Sequence, residues 1–192
     1  DYQSMKPEEL DFDRLAQATS DFVTHDATPP ELIADRIAGF EVVILNKVKF
    51  LREHFEVSPD LKLILVSATG TDNVDKVAAA EHGVVVCNVA AYGTPSVSQH
   101  TLMLMLMVAT QVERYRDDVR AGLWSKSPMF CLMDYPILDL SGRTLGLIGY
   151  GELGREVGKL AEAFGMRVLV MGRTGVDYAD DANRVSFEVL LE

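Results

Sequence analysis

The sequence predicts an α/β protein with two lobes, each built on a parallel, doubly wound sheet. Three observations predict it. Short apolar runs alternate along the chain with helical segments and short links. The run Ala90-Ala91-Tyr92-Gly93-Thr94-Pro95 interrupts that alternation, so residues 1–93 and 94–192 are expected to form separate domains. Residues 144–173 then read strand, glycine-rich turn, helix, strand.

Residues 1–3 read as the tail of a strand whose beginning is absent. Residues 7–18 are expected to form a helix with Leu10, Leu15 and Ala18 inward, opened by Ser4 and Pro7 with Glu8 and Glu9 in its first turn. Residues 22–25 read as a short strand. Pro29 and Pro30 lead a helix through Leu32, Ile33 and Ile37 that Gly39 stops. Residues 42–45 form a buried strand ending at Asn46 and Lys47, and residues 48–60 show no clear period despite Phe50, Leu51 and Phe55. A strand over 61–67, a turn at Gly70, a helix over 75–82 closed by Gly83 and a strand over 84–87 ending at Asn88 complete the first domain. In doubly wound sheets ligands sit at the carboxyl ends of the strands. Here those ends hold Asn46, Lys47, Ala68, Thr69, Gly70, Thr71 and Asn88.

Thr94 is a good N-cap with Pro95 at the first helical position, and one helix is expected to run from there to Ala121, about 40 Å at 1.5 Å per residue. Its middle, residues 102–108, is apolar all round and therefore expected to be buried; residues 113–120 are charged and solvated. Residues 122–140 are loop-like. The apolar run 144–148 reads as a buried strand. From Glu152 the apolar residues Leu153, Val157, Leu160, Ala161 and Phe164 fall at helix spacing, Gly165 ends the helix, and residues 167–171 are a second strand. A polar loop over 174–183 precedes a last helix near Ser186. The chain stops one strand pair into a Rossmann unit that normally has six strands, so both ends are expected to be cut.

Gly149, Gly151 and Gly154 give G-x-G-x-x-G in the strand–turn–helix context of a dinucleotide-binding fingerprint. The first permits the tight turn, the second lets a pyrophosphate approach the backbone, and the third allows close packing of helix and sheet. The helix N-terminus supplies unpaired N–H groups and partial positive charge. The end of the second strand chooses between cofactors. Gly172, Arg173 and Thr174 stand where NAD binders carry a carboxylate, so nothing repels a 2′-phosphate and a guanidinium can pair with one. NADP is preferred to NAD on that ground.

The net charge of −11 argues against a nucleic-acid or anionic-membrane partner, and the apolar run 102–109 is too short to cross a bilayer. Cys87 and Cys131 lack metal or redox spacing and read as reduced core residues of a cytosolic protein. His100 is read as a core or domain-junction residue rather than an acid, and His25, His54 and His82 as solvated. No i, i+4 histidine pair suggests a metal site. Met103, Met105 and Met107 suit packing or a subunit contact.

Several motifs together resemble the D-isomer-specific 2-hydroxyacid dehydrogenase family, in its glycerate dehydrogenase/hydroxypyruvate reductase branch. They are Ala68-Thr69-Gly70-Thr71-Asp72-Asn73-Val74-Asp75, Gly83-Val84 through Asn88-Val89, Tyr92-Gly93-Thr94-Pro95-Ser96-Val97-Ser98-Gln99-His100, Gly122-Leu123-Trp124, and Gly142-Arg143-Thr144-Leu145-Gly146 leading into the glycine motif. The resemblance implies the N-terminal part of a flavodoxin-like, substrate-binding lobe in residues 1–93. It implies an incomplete NAD(P)-binding Rossmann lobe in residues 94–192, with substrate in the cleft between them. By it the backbone of Ala68, Thr69 and Gly70 would cradle a keto acid's carboxylate, with Asn46 and Lys47 in the same wall. Thr101 would approach the nicotinamide, and Tyr150, Glu152 and Leu153 would line the pyrophosphate. The family's catalytic Arg, Glu and His would lie beyond Glu192, so no catalytic residue is assigned. The activity implied is hydride transfer between NAD(P)H and a small 2-keto or 2-hydroxy acid, such as hydroxypyruvate, glyoxylate or D-glycerate, in a cytoplasmic homodimer. A nucleotide-sensing corepressor-like binding protein and a fragment without turnover are the alternatives.

Overall fold

The computed structural model describes every residue except Lys6, Thr174, Asp177, Ala179, Asp180 and Ala182. The chain divides into two compact units, Asp1–Tyr92 and Gly93–Glu192. Each holds a three-stranded, all-parallel sheet among its described residues.

In the first unit β1 (Val42–Leu45), β2 (Leu63–Val66) and β3 (Val85–Asn88) lie in the order β1-β2-β3, with Val43 opposite Ile64 and Ile64 opposite Val86. Their continuous Val/Ile/Leu runs suit parallel strands covered by helices. Those helices are α1 (Asp13–Gln17), α2 (Ile33–Ile37), α3 (Arg52–Glu56) and α4 (Lys76–Glu81). Leu45, Phe50, Phe55, Ile64 and Val66 are the largest fully buried side chains of the core. Asp75 caps α4 by accepting the Ala78 N–H at 2.9 Å, and Gly83 follows it at φ +70°.

The first unit departs from the sequence expectation in several places. Residues 1–3 enter a 3-10 turn, Tyr2–Met5, rather than ending a strand. The helix expected over 7–18 is broken into a 3-10 turn, Pro7–Glu9, and α1, leaving Leu10 53% exposed. The Asp11 carboxylate accepts the Asp13 N–H at 2.9 Å, a local bond that competes with helix continuation. Residues 22–25 join no ladder; the His25 and Asp26 carbonyls instead accept the Tyr2 and Gln3 N–H groups. The segment without a period contains α3, whose buried His54 and Phe55 pack beside Phe50.

In the second unit β4 (Thr144–Leu147), β5 (Arg167–Met171) and β6 (Arg184–Val185) lie in the order β4-β5-β6. The helices are α5 (Thr94–Thr110), α6 (Val112–Arg120), α7 (Leu123–Lys126), α8 (Glu152–Ala163) and α9 (Phe187–Leu191). Ala161, Met166, Val168 and Val170 form the core, with Met105, Leu140, Leu145, Leu147 and Tyr150 packed against it. Gly93, not Thr94, is the N-cap of α5. The long helix is two helices, because Gln111 takes a left-handed conformation at φ 53°. The middle of α5 is also not buried: Met103 is 41%, Leu104 47% and Val108 74% exposed. Within this unit α5 packs mainly against α8, and an apolar circumference does not bury itself. Cys87 is exposed on the edge strand β3 and Cys131 is half-buried, so neither is a core residue.

Candidate functional site

The glycine turn has the backbone its motif requires. β4 ends at Leu147, Gly149 turns the chain at φ +98°, and Gly151 is the N-cap of α8. A Cβ on Gly154 would stand 2.4 Å from the Gly149 carbonyl oxygen, so only glycine allows the turn to close against the helix. A Cβ on Gly151 would meet nothing within 4 Å. That glycine is open to an approaching ligand rather than packed. The first recorded α8 bond runs from Arg155 N–H to Gly151 O at 3.0 Å. The N–H groups of Glu152, Leu153 and Gly154 bond to no described acceptor and can receive an external one. A phosphate fits this cradle by both tests, close approach and donor supply.

Side chains close the turn on two sides. The Glu152 carboxylate accepts the Thr94 hydroxyl at 2.9 Å. Leu153 is 44% exposed rather than inward. Tyr150 is half-buried, and its carbonyl accepts from the Arg155 guanidinium at 3.1 Å. Thr101 is half-buried on α5, and its hydroxyl donates to the Val97 carbonyl at 2.8 Å, four residues back in the same helix.

Gly172 follows β5, its N–H donating to the Val185 carbonyl at 2.9 Å. A Cβ there would stand 3.2 Å from two ring carbons of Tyr178. Arg173 is exposed, and its guanidinium pairs with no described carboxylate; its backbone N–H donates to the Tyr178 hydroxyl at 3.2 Å. Thr174, the third residue expected here, lies outside the described residues. Sequence reasoning missed Tyr178 and Arg184, the residues that pack against Gly172 and Tyr150; Tyr178 comes from a loop whose only sequence signal was polarity, and Arg184 opens the two-residue strand β6 that follows it.

In the first unit the carboxyl end of β2 carries buried Ala68 and exposed Thr69 and Gly70. β3 pins this loop: the Thr69 hydroxyl donates to the Val89 carbonyl at 2.9 Å, and the Asn88 amide donates to the Thr69 carbonyl at 2.7 Å. Val89 N–H also reaches the Ala68 carbonyl at 3.1 Å. The N–H groups of Thr69, Gly70 and Thr71 bond to no described acceptor and can receive an anion such as a carboxylate.

Asn46 and Lys47 sit differently. Their N–H groups hold the Asp1 carboxylate at 2.9 and 2.6 Å, and the Asn46 amide donates to the Ser4 hydroxyl at 3.0 Å. Asn73 donates to the carbonyls of Asn46 and Val48 at 3.2 and 3.0 Å. Asn46 is therefore committed to internal bonds, while the exposed Lys47 side chain has no bond among the described residues. A cavity of about 660 Å³ in this unit lies among Phe12, Phe22, Ile33, Phe40 and Leu45 and includes none of Ala68, Thr69 or Gly70.

The histidines separate into distinct environments. His100 is exposed. His54, expected to be solvated, is 6% exposed on α3 against the Phe50 ring, and its Nδ1 accepts the Leu51 N–H at 2.9 Å. Burial pushes its pKa down, and the nearby Glu53 carboxylate, 3.7 Å from Nε2, opposes that only in part. No group of three metal-ligating side chains occurs among the described residues, and no described helix is long and apolar enough to cross a membrane.

The family model for the D-isomer specific 2-hydroxyacid dehydrogenase catalytic domain matches residues 2–184. A glycerate dehydrogenase from Methylorubrum extorquens is 47% identical over 140 residues, covering 73% of this chain and 45% of that protein. A hydroxypyruvate reductase from Blautia hydrogenotrophica is 37% identical over 168 residues, covering 86% of this chain and 52% of that protein. The crystal structure of the TT0316 protein from Thermus thermophilus superposes with a TM-score of 0.78 at 32% identity, over 94% of this chain and 57% of its own. The chain thus spans about half the length of the relatives it matches.

Proposed function

Because the chain belongs to the D-isomer-specific 2-hydroxyacid dehydrogenase family, we propose that it holds the cofactor turn and part of the substrate wall of an NAD(P)-dependent oxidoreductase. The observation that carries this reading is the fit at the turn: Gly154 closed onto Gly149, Gly151 open, and α8 aimed with free N–H groups. The reaction is hydride transfer between NAD(P)H and C2 of a small 2-keto or 2-hydroxy acid, with hydroxypyruvate, glyoxylate and D-glycerate as the substrate class. The nicotinamide supplies the hydride.

What this chain's own residues do is bind and orient. The N–H groups of Glu152, Leu153 and Gly154 neutralise the pyrophosphate, with Gly149, Tyr150 and Gly151 forming the floor. Gly172 and Arg173 receive the ribose, and Arg173 favours NADP over NAD by charge-assisted bonding to a 2′-phosphate. Thr101 stands toward the nicotinamide end. The N–H groups of Thr69, Gly70 and Thr71, on a loop anchored by buried Ala68, take the substrate carboxylate. Lys47 adds a positive charge to that wall, whereas Asn46 shapes it from behind. The exposed apolar face of α5 is the surface for a second copy, giving a homodimer, and the free thiols Cys87 and Cys131 suit the cytoplasm.

Loss of NADPH absorbance on adding hydroxypyruvate or glyoxylate tests the activity in the protein that carries this chain. Tight NADPH binding with no turnover of any small 2-keto acid would overturn the enzymatic reading.

A further inference from the structure

Tyr178 and Arg184 take part in no role assigned above, yet they are built into the end of β5 from several sides. Arg184 opens β6, pairs in register with Val170, and is 20% exposed. Its guanidinium carbon lies 5.0 Å from the Tyr178 ring centre and 5.2 Å from that of Tyr150, and its Nε is 3.4 Å from the Asp181 carboxylate. Asp181 N–H donates to the Tyr178 carbonyl at 2.8 Å, and Arg184 N–H to the Asp181 carbonyl at 2.9 Å. Tyr178 is thus held by the Asp181 N–H on its carbonyl and by a cation against its ring. So placed, it packs over Gly172 and accepts the Arg173 N–H.

We propose that Tyr178 is a specificity-determining residue. Its ring fills the space over Gly172 where a ribose-binding carboxylate would stand, and its hydroxyl fixes the Arg173 backbone so that the adenosine end is read through a 2′-phosphate. This role rests on the NADP reading above and adds the reason the site resists conversion. A side chain at Gly172 starts 3.2 Å from the Tyr178 ring, tighter than ordinary van der Waals contact, so the ring must yield first. Arg184 opposes that movement because shifting the ring gives up its cation–π contact. The same guanidinium lies near Tyr150, the side chain inside the glycine turn, so the phosphate cradle and the ribose end share one anchor.

The test measures binding of two probes, 2′,5′-ADP and 5′-AMP, by calorimetry to the protein that carries this chain. Wild type is expected to prefer 2′,5′-ADP. Tyr178→Phe keeps the ring and removes the hydroxyl acceptor; it should weaken 2′,5′-ADP by about two- to tenfold, the range of one neutral hydrogen bond, and leave 5′-AMP unmoved. Gly172→Asp alone should gain little 5′-AMP affinity, whereas Gly172→Asp with Tyr178→Ala should gain it. Equal binding of the two probes by wild type would overturn the NADP reading and this proposal with it. A wild-type preference that persists unchanged in Tyr178→Phe, together with full conversion by Gly172→Asp alone, would overturn the proposal and spare the NADP reading.

Discussion

A Cβ added to Gly154 would stand 2.4 Å from the carbonyl oxygen of Gly149, while one added to Gly151 would meet nothing within 4 Å. Two glycines three residues apart in one motif therefore do opposite jobs. Gly154 is demanded by the fold, whereas the fold leaves the space at Gly151 open.

Gly154→Ala should destabilise the second unit, because the contact is to backbone that cannot rotate away. Overpacking of this kind costs about 1–3 kcal/mol. Urea unfolding followed by circular dichroism measures it, and a midpoint equal to wild type would show that the turn opens freely.

Gly151→Ala should leave that midpoint unchanged and instead weaken NADPH by about tenfold or more, since the new methyl stands where a pyrophosphate must approach. Fluorescence titration with NADPH reads the loss. Equal affinity in the variant would place the phosphates elsewhere.

Stability should fall on acidification through His54. Its folded pKa is lowered by burial, so between the unfolded value near 6.5 and the folded value the unfolded chain binds more protons. The His54 contribution is complete above about pH 6.5 and declines below it, by at most about 1.4 kcal/mol per pH unit for one group. His25 is also lowered, with burial the first cause, and adds to the same trend. Unfolding free energies at several pH values for wild type and His54→Gln isolate the first term. A slope identical in both would assign the acid sensitivity to other groups.

Elements set by local chemistry were legible in the sequence. The apolar runs of β1, β2, β4 and β5 sit where their Val/Ile/Leu content put them, and Gly39, Gly83 and Gly165 end their helices at positive φ. The failures are of two kinds. Gln111 breaks a helix by a left-handed backbone that no Gly, Pro or Asn announced, and Asp11 ends another through a side-chain bond. The rest are nonlocal: His54 is buried by Phe50 and Phe55, and Tyr178 meets Gly172 across a loop, contacts that no spacing encodes. At the site, the glycine turn was readable because backbone geometry dictates residue type there. The engagement of Asn46 by Ser4 and Asn73 was not, because amides pair with whatever the fold brings near.

The exposed middle of α5 makes the oligomeric proposal testable. Val108, 74% exposed, sits near Leu104 on a helix whose middle, residues 102–108, is apolar on every side. A charge there would have to be desolvated in an interface, so Val108→Glu should weaken self-association by at least about tenfold without lowering the thermal midpoint of the monomer. Sedimentation velocity over a concentration series reads it. Identical behaviour of wild type and variant would leave this face facing water.

The proposed preference for NADP turns on Arg173. A carboxylate after β5 would accept bonds from a ribose diol and repel a 2′-phosphate; Gly172 supplies none. The exposed guanidinium of Arg173 can make charge-assisted hydrogen bonds to that phosphate worth about 1.5–3 kcal/mol. Exposure and salt reduce such pairs, so the lower end is the relevant one, about tenfold in affinity. Arg173→Ala should therefore cut the NADPH-to-NADH ratio of kcat/KM by about tenfold, with the change falling mainly on NADPH. The loss should shrink as ionic strength rises, because a surface charge pair is screened within about 10 Å at 0.1 M salt. Gly172→Asp is a weaker converse than the sequence suggests, since the Tyr178 ring stands 3.2 Å from the new Cβ. If wild type prefers NADH and Arg173→Ala leaves the ratio unmoved at low salt, Arg173 is a solvated side chain and the 2′-phosphate has no receptor at the end of β5.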